Sequence, residues 1–344
     1  MNNILEQANN IVNNRTEEAD RNYGPMNEGM DKTAKFATLM GNKKLTAIDC
    51  FRVLIGLKQS RESYCHKEDN LLDMVAYTGA LNNYIQENKY NVKMEMYKDL
   101  WENGVEINPR GELTKELLNY SFELEPYDRF YNFEGRKFNL SYLKNEMLWY
   151  LKGGRFDTSI TKHAKMWNTL INKDGSINSN YGQYINPNIE RIIKTLAEDK
   201  NSRRAVISIG NNVNYNSKTN DYCCCQYLSF IIRNNQLLMN VQFRSSDIIF
   251  GITNDIPTMS IYQEIIYVIL RDEYYPDLKM GNLHFFTNSL HIYERHYIMI
   301  QKIIKFNNEM PVKCPKIVNN KEARLLLTNG GIKSDFPFSK WIQK

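Results

Sequence analysis

Three consecutive cysteines, Cys223, Cys224 and Cys225, open the stretch DYCCCQYLSF, where a run of aromatic and β-branched residues begins. A thiol at a strand end and close to arginine can ionise nearer neutrality than its usual value of about 8.5, and as a thiolate it is a strong nucleophile. A buried cysteine is more commonly a small hydrophobe, so the thiols alone decide nothing. Their surroundings say more. Twenty residues after Cys224, QFRSSDIIFGITND crowds Arg244, Ser245 and Asp247 into a turn after a strand, with Gly251 permitting a close backbone approach. About as far before it stands NSRRAV with Arg203 and Arg204, and Arg110 lies upstream in INPRGELT. Any one of these arginines reads as a surface ion-pair partner; all four around one thiol would hold a phosphate by bidentate hydrogen bonds and favour the thiolate.

The elements that must position these residues follow from periodicity. Residues 1–88 read as helices throughout, with apolar positions at three- and four-residue steps in NILEQANNIV, MDKTAKFATLM, AIDCFRVLIGLKQS and NLLDMVAYTGALNNYI. Thr46 fits as a helix cap, as does Asp69 or Asn70. Residues 89–344 alternate: helices are expected at 93–103, 141–152, 158–171, 187–200, 256–272 and 291–304, and strands at 204–210, 224–233, 236–244 and 280–287. RNNQ supplies a hairpin turn between the second and third strands. An α+β catalytic region behind an all-α domain is the expected organisation.

With 344 residues, 42% of them hydrophobic, the chain can build one large or two modest cores. No window of 18 apolar residues and no leader-like start occur, so a cytoplasmic protein without a membrane span is expected. The six cysteines have no regular spacing and no CxxC pair, which favours free thiols over disulfides or zinc. Net charge is +5, with −2 in residues 1–88 and +7 in the remainder. Without a dense basic tract interleaved with aromatics, that excess suits a small phosphorylated ligand better than a nucleic acid.

In order and at near-family spacing, the motifs of residues 92–305 resemble the thymidylate synthase family, which binds a pyrimidine nucleotide and 5,10-methylenetetrahydrofolate. NEMLWYLKG resembles its glutamate-bearing helix and implies a catalytic Glu146. KMWNTL and NYGQY resemble the folate-side tryptophan and active-site tyrosine, implying Trp167 and Tyr181. NSRRAV resembles the element that reaches the neighbouring subunit's phosphate, so Arg203 and Arg204 imply a homodimer. QFRSSDIIFG resembles the Gln-Arg-Ser-x-Asp-x-x-x-Gly signature: Arg244 and Ser245 are implied for phosphate, Asp247 and Gly251 near base and folate, and Phe250 on the folate side; Arg110, from INPRGELT, completes the expected phosphate set. LHIYERH implies that His291 and Tyr293 hold the sugar 3′-hydroxyl. Spacing from Arg244 makes Cys224 the implied nucleophile, while Cys223 and Cys225 replace the usual proline and histidine and read as packing.

One departure bears on the substrate. Where synthases carry an asparagine that reads uracil, the fourth residue after the glycine is Asp255. A carboxyl sharing a proton with N3 suits the amino edge of cytosine, whereas uracil O4 facing a carboxylate would be repelled. Asp255 resembles the deoxycytidylate hydroxymethylases of the family, unless Asn254 takes the role through a one-residue shift. The expected activity is conversion of dCMP to 5-hydroxymethyl-dCMP through a Cys224–C6 adduct. A pyrimidine nucleotide C5-methylase acting on dCMP or dUMP, and a non-catalytic binding module, are the alternatives. The closing FSKWIQK differs from the family's short aliphatic C-terminus and favours water entry.

The first 88 residues resemble a small helical phage domain of unknown function through RNYGPMNEGMDKTAKFA and HKEDNLLDMVAYTGAL. Glu68, Asp69 and Asp73, with Glu17, Glu18 and Asp20, resemble the Mg²⁺-binding carboxylates of MazG-like nucleotide pyrophosphohydrolases. Carboxylates on helices are mostly solvated faces, so a dimer-supporting or partner-binding module without a metal is the default reading.

Overall fold

The computed structural model describes residues 3–13, 26–41, 45–87, 91–210, 219, 221–329 and 334–344. The chain divides into two compact units, Met1–Asn91 and Val92–Lys344.

The first unit holds α1 (Ile4–Asn13), α2 (Met26–Met40), α3 (Ala47–Tyr64) and α4 (Glu68–Glu87). Thr46 caps α3 in a reciprocal box: its hydroxyl accepts from Asp49 N at 3.2 Å and the Asp49 carboxylate accepts from Thr46 N at 3.0 Å. At the other end the Cys65 N–H closes on Arg61 O, leaving the Cys65 side chain exposed. Asp69 and Asn70, expected as caps for α4, lie inside its first turn because the helix opens at Glu68. Buried Ala8, Ala34, Ala76 and Ala80 let the helices approach, and Phe51 fills the space beside Tyr84 at 5.7 Å between rings.

The second unit is built on one seven-stranded mixed sheet. In chain order its elements are α5 (Val92–Asn103), β1 (Val105–Ile107), β2 (Thr114–Leu124), α6 (Leu140–Lys152), α7 (Gly182–Ile185), α8 (Ile189–Glu198), β3 (Val206–Ser208), β4 (Cys225–Arg233), β5 (Gln236–Phe243), β6 (Ser246–Asp247), α9 (Ile252–Glu273), β7 (Lys279–Tyr293), α10 (Tyr297–Phe306), α11 (Asn320–Asn329) and α12 (Pro337–Gln343). The strand order is β1-β2-β7-β5-β4-β3, with β6 alongside β7. All neighbours are antiparallel except β5 with β7 and β6 with β7. The β4–β5 hairpin turns through Asn234 and Asn235, both at positive φ, as the two-residue loop in RNNQ requires. Most of α9 is buried, from Ile256 to Leu270 without a break, and it packs on β5, β7 and α6.

Several expected boundaries move for identifiable reasons. Strand β2 escapes a period-two reading because only its last residues, Phe122 to Leu124, alternate cleanly between buried and exposed; its pairing with β7 keeps one register through Asn119, at φ 55. The expected helix at 158–171 is instead two short 3-10 turns, Ser159–Lys162 and Lys165–Leu170, separated by an extended Ala164. The segment from 291 continues β7 as far as Tyr293, and α10 begins only at Tyr297. Helix α9 starts at Ile252, four residues before the expected 256. The C-terminal segment folds as α12, which packs on α6. Phe338 and Ile342 are buried there, and the buried Glu322 carboxylate accepts from Ser339 N at 2.9 Å and Ser339 Oγ at 3.2 Å.

One close contact fixes how the tyrosine motif meets α6. A Cβ on Gly182 would lie 1.7 Å from Tyr150 O, so only glycine lets α7 lie against the end of α6. We expect Gly182→Ala to destabilise the protein by about 1–3 kcal/mol, read as a lower midpoint in chemical denaturation; an unchanged midpoint would show that α7 stands off from α6 in solution.

Candidate active site

Cys224 sits immediately before β4, half-buried, and its backbone is held from two directions. Arg244 N donates to Cys224 O at 2.8 Å, while the Tyr181 hydroxyl oxygen accepts from Cys224 N at 3.2 Å and Cys225 N at 3.3 Å. The Tyr181 ring is itself fixed by stacking on Tyr150, with centroids 5.3 Å apart. Tyr181 therefore acts on the cysteine segment from behind. Cys223 and Cys225 are fully buried, and Cys223 Sγ donates to Asn178 O at 3.3 Å. Asp221, also buried, accepts from Ser179 N at 2.9 Å and from the Ser179 hydroxyl.

The Cys224 thiol is not predisposed to ionise in the free chain, contrary to the expectation from its arginines. Burial dominates and pushes it up to about 11; Arg244 and Arg110 pull it down, while Asp255 and Asp221 push it further up. Arg244 spends Nε on Cys223 O at 3.1 Å and Nη2 on Tyr222 O at 2.9 Å, which leaves Nη1 to receive an anion. Arg110 stands at positive φ in an exposed turn, its side chain without a hydrogen bond or ion pair among the described residues. Of the four expected guanidiniums, these two are among the leading influences on the thiol, whereas Arg203 and Arg204, exposed just ahead of β3, are not.

Glu146 lies on the buried side of α6. Burial raises its carboxyl to about 7, opposed by a hydrogen bond from Tyr142 Oη to Oε1 at 3.0 Å. Trp167 Nε1 donates to the same Tyr142 oxygen at 2.9 Å, and its ring packs edge-on against Trp149 at 5.0 Å between centroids. Trp167 is thus buried and its polar group is committed to the protein. Tyr142 was not singled out from the sequence; its place one helical turn before Glu146 was the available signal.

Asp255 occupies the first turn of α9. Burial first, then Glu146 and Asp247, push its carboxyl well above the usual range, so it favours the protonated form. Asn254, the alternative reader, turns its amide to Phe250 O at 2.7 Å. Asp247 accepts from Ile249 N at 3.1 Å and Phe250 N at 3.2 Å, closing the turn into α9. A Cβ on Gly251 would stand 2.9 Å from Asp247 O, which explains the glycine there. Phe250 is 43% exposed and meets His296 edge-on at 5.1 Å. Asp247 pairs with His291 in the β6–β7 register, His291 Nδ1 lies 3.5 Å from Ser245 Oγ, and Tyr293 packs edge-on against the His291 ring. Burial lowers the His291 pKa, so its ring is neutral at pH 7.

A thiol, two protonatable carboxyls and a pair of unengaged arginine groups therefore converge where β4 begins, beside α6 and the start of α9. The family model for thymidylate synthase matches residues 91–329. The chain belongs to the thymidylate synthase family. Deoxycytidylate 5-hydroxymethyltransferase of Enterobacteria phage T4 is 24% identical over 221 residues, covering 61% of this chain and 87% of that protein. Its counterpart from phage T6 is also 24% identical over 221 residues, with the same coverage of both chains. The thymidylate synthase of Buchnera aphidicola subsp. Acyrthosiphon pisum (strain APS) is 26% identical over 230 residues, or 63% of this chain and 82% of the relative. Residues 3–85 match a domain of unknown function, DUF6378.

In that N-terminal unit two of the carboxylates considered for Mg²⁺, Asp69 and Asp73, meet a lysine. Lys58 pairs with Asp73 and, at 3.3 Å, with Asp69. Glu17, Glu18 and Asp20 lie outside the described residues. Among the described residues no group of three or more His, Cys, Asp or Glu side chains is placed to hold a metal, and no helix is long and apolar enough to cross a membrane.

With its thiol near 11, Cys224 has on the order of 10⁻⁴ of its population as thiolate at pH 7. Iodoacetamide labelling of the Cys224 peptide, followed by mass spectrometry, is expected to be slow at pH 7 and to climb tenfold per pH unit up to about pH 10. A plateau reached near pH 8 would contradict the dominance of burial.

Proposed function

We propose that this thymidylate synthase-family protein transfers a one-carbon unit to C5 of dCMP and releases 5-hydroxymethyl-dCMP. The observation that carries the reading is Asp255, a buried carboxyl beside Glu146 and Asp247 at the position where synthases read uracil with an amide; unlike an amide, it can give its proton to a ring nitrogen. Cytosine offers N3 as acceptor and its 4-amino group as donor. A proton shared between Asp255 and N3, with the amino group donating to the second carboxyl oxygen, satisfies both partners in either protonation state. Uracil would require the proton to remain on Asp255, because O4 facing the ionised form is repelled. The relatives' names support both substrates at similar identity, so the choice rests on this residue.

The remaining side chains fit a nucleotide. Nη1 of Arg244, Arg110 and Ser245 are available to the 5′-phosphate, and Arg203 and Arg204, exposed and without a side-chain partner among the described residues, would reach that phosphate in a second copy of a homodimer. His291 and Tyr293 would hold the 3′-hydroxyl. Methylenetetrahydrofolate, when bound, supplies a one-carbon unit at the oxidation level of formaldehyde. The residues present fit it: the exposed Phe250 ring and the Asp247 carboxylate suit a flat heterocycle bearing N–H groups, with Trp167 as a wall.

Cys224 Sγ would add to C6, opening the C5–C6 double bond and placing the electron pair at C5, which then bonds the one-carbon unit. Glu146, near 7, is matched to taking and returning protons at physiological pH. Loss of the C5 proton, cleavage of the bond between the new carbon and its carrier with release of tetrahydrofolate, addition of water oxygen to that carbon and departure of Cys224 would restore the aromatic ring with a hydroxymethyl group.

Tritium release from [5-³H]dCMP is expected to exceed release from [5-³H]dUMP, with a hydroxymethylated product by mass and no rise at 340 nm from dihydrofolate. Asp255→Asn should shift the dCMP-to-dUMP ratio of kcat/KM toward dUMP by about 10–100-fold. An unchanged ratio would remove Asp255 from base recognition, and a methylated product would replace this reading with a methylase.

A further inference from the structure

Glu146 has two oxygens in different surroundings. Oε1 meets the Tyr142 hydroxyl at 3.0 Å, whereas Oε2 is buried with no partner among the described residues. The Tyr142 oxygen is not free to choose its role. An indole N–H only donates, so Trp167 Nε1 at 2.9 Å occupies it as an acceptor. The phenol has one proton, and Glu146 Oε1 is the acceptor it meets among the described residues. Were Glu146 to donate from Oε1 instead, the phenol proton would be left unpaired at a largely buried site, at a cost of about 1–3 kcal/mol. The geometry is held from below as well: Asn139, the N-cap of α6, accepts from Tyr142 N at 2.9 Å, which fixes the phenol one turn ahead of the acid.

We infer that Tyr142 is a positioning residue that decides which oxygen of Glu146 is protonated: with Trp167 donating to it, the phenol gives its own proton to Oε1 and leaves Oε2 to carry and exchange the proton of the acid. The arrangement is a one-way chain, Trp167 to Tyr142 to Glu146. It keeps the mobile proton off the oxygen that the phenol occupies. The other titratable groups acting on Glu146 are Asp255 from α9 and Tyr150 on α6 itself; Lys144, on the same helix, stands instead over the Trp341 ring of α12. The use of Glu146 in catalysis rests on the reaction proposed above, but the direction of its hydrogen bond does not.

The test is the titration of Glu146 in the full chain, followed by ¹³C NMR of labelled glutamate carboxyls and assigned by the resonance lost in Glu146→Gln. Tyr142 favours the ionised acid, so Tyr142→Phe is expected to move the midpoint upward from about 7, by about one pH unit. Trp167→Phe frees the phenol to accept from the neutral acid, moves the midpoint the same way, and serves if Tyr142→Phe does not fold. The pH profile of tritium release should move alkaline with it, while KM for dCMP stays unchanged. A Glu146 midpoint that does not move in the folded variants overturns the inference. Absence of tritium release from either nucleotide in the unaltered protein would instead sink the proposed reaction, and the titration alone would then decide the role of Tyr142.

Discussion

Burial of ionisable groups in one small volume is the constraint on which the second unit depends. Glu146, Asp255 and Cys224 are each displaced toward the neutral form, and in each case desolvation is the leading cause. Placed together as anions they would repel one another in a medium of low polarity. As neutral groups they coexist, and the site stays closed around them. In the proposed reaction, reactivity is drawn out by a bound base that can share a proton with Asp255.

The backbone answers to the same constraint. Tyr181 takes the amides of Cys224 and Cys225, and Tyr150 takes the face of the Tyr181 ring. These phenols solve a packing problem and a hydrogen-bonding problem together, because a buried hydroxyl without partners is costly. Gly182 and Gly251 allow the approach, one at the end of α6 and the other where β6 turns into α9.

Much of this was legible in the order of residues. The cysteine run, the Arg244–Asp255 segment and the family motifs pointed to the family and to the candidate site, and periodicity carried α6, α9 and the β4–β5 hairpin. Two kinds of feature were hidden. Strand β2 was obscured by a burial pattern that alternates cleanly only near its end, and the 3-10 turns around Trp167 by an apolar spacing that suits a helix. The state of the thiol was hidden for a different reason. Proximity of arginines can be guessed from spacing, but the depth at which Cys224 lies relative to them is a property of the assembled sheet. Tyr142 belongs to the same class, since its role appears only once Trp167 arrives from another part of the chain.

In the N-terminal unit, Lys58 stands between Asp69 and Asp73, where a divalent ion was the alternative, so that α3 and α4 are tied by a side-chain cation. The same pair of helices is joined through the exposed Cys65, while the other five free cysteines are buried or half-buried. That contrast makes the helical unit easy to address: a maleimide fluorophore under brief, neutral conditions would attach there first, giving a native spectroscopic reporter on DUF6378 without engineering a new residue.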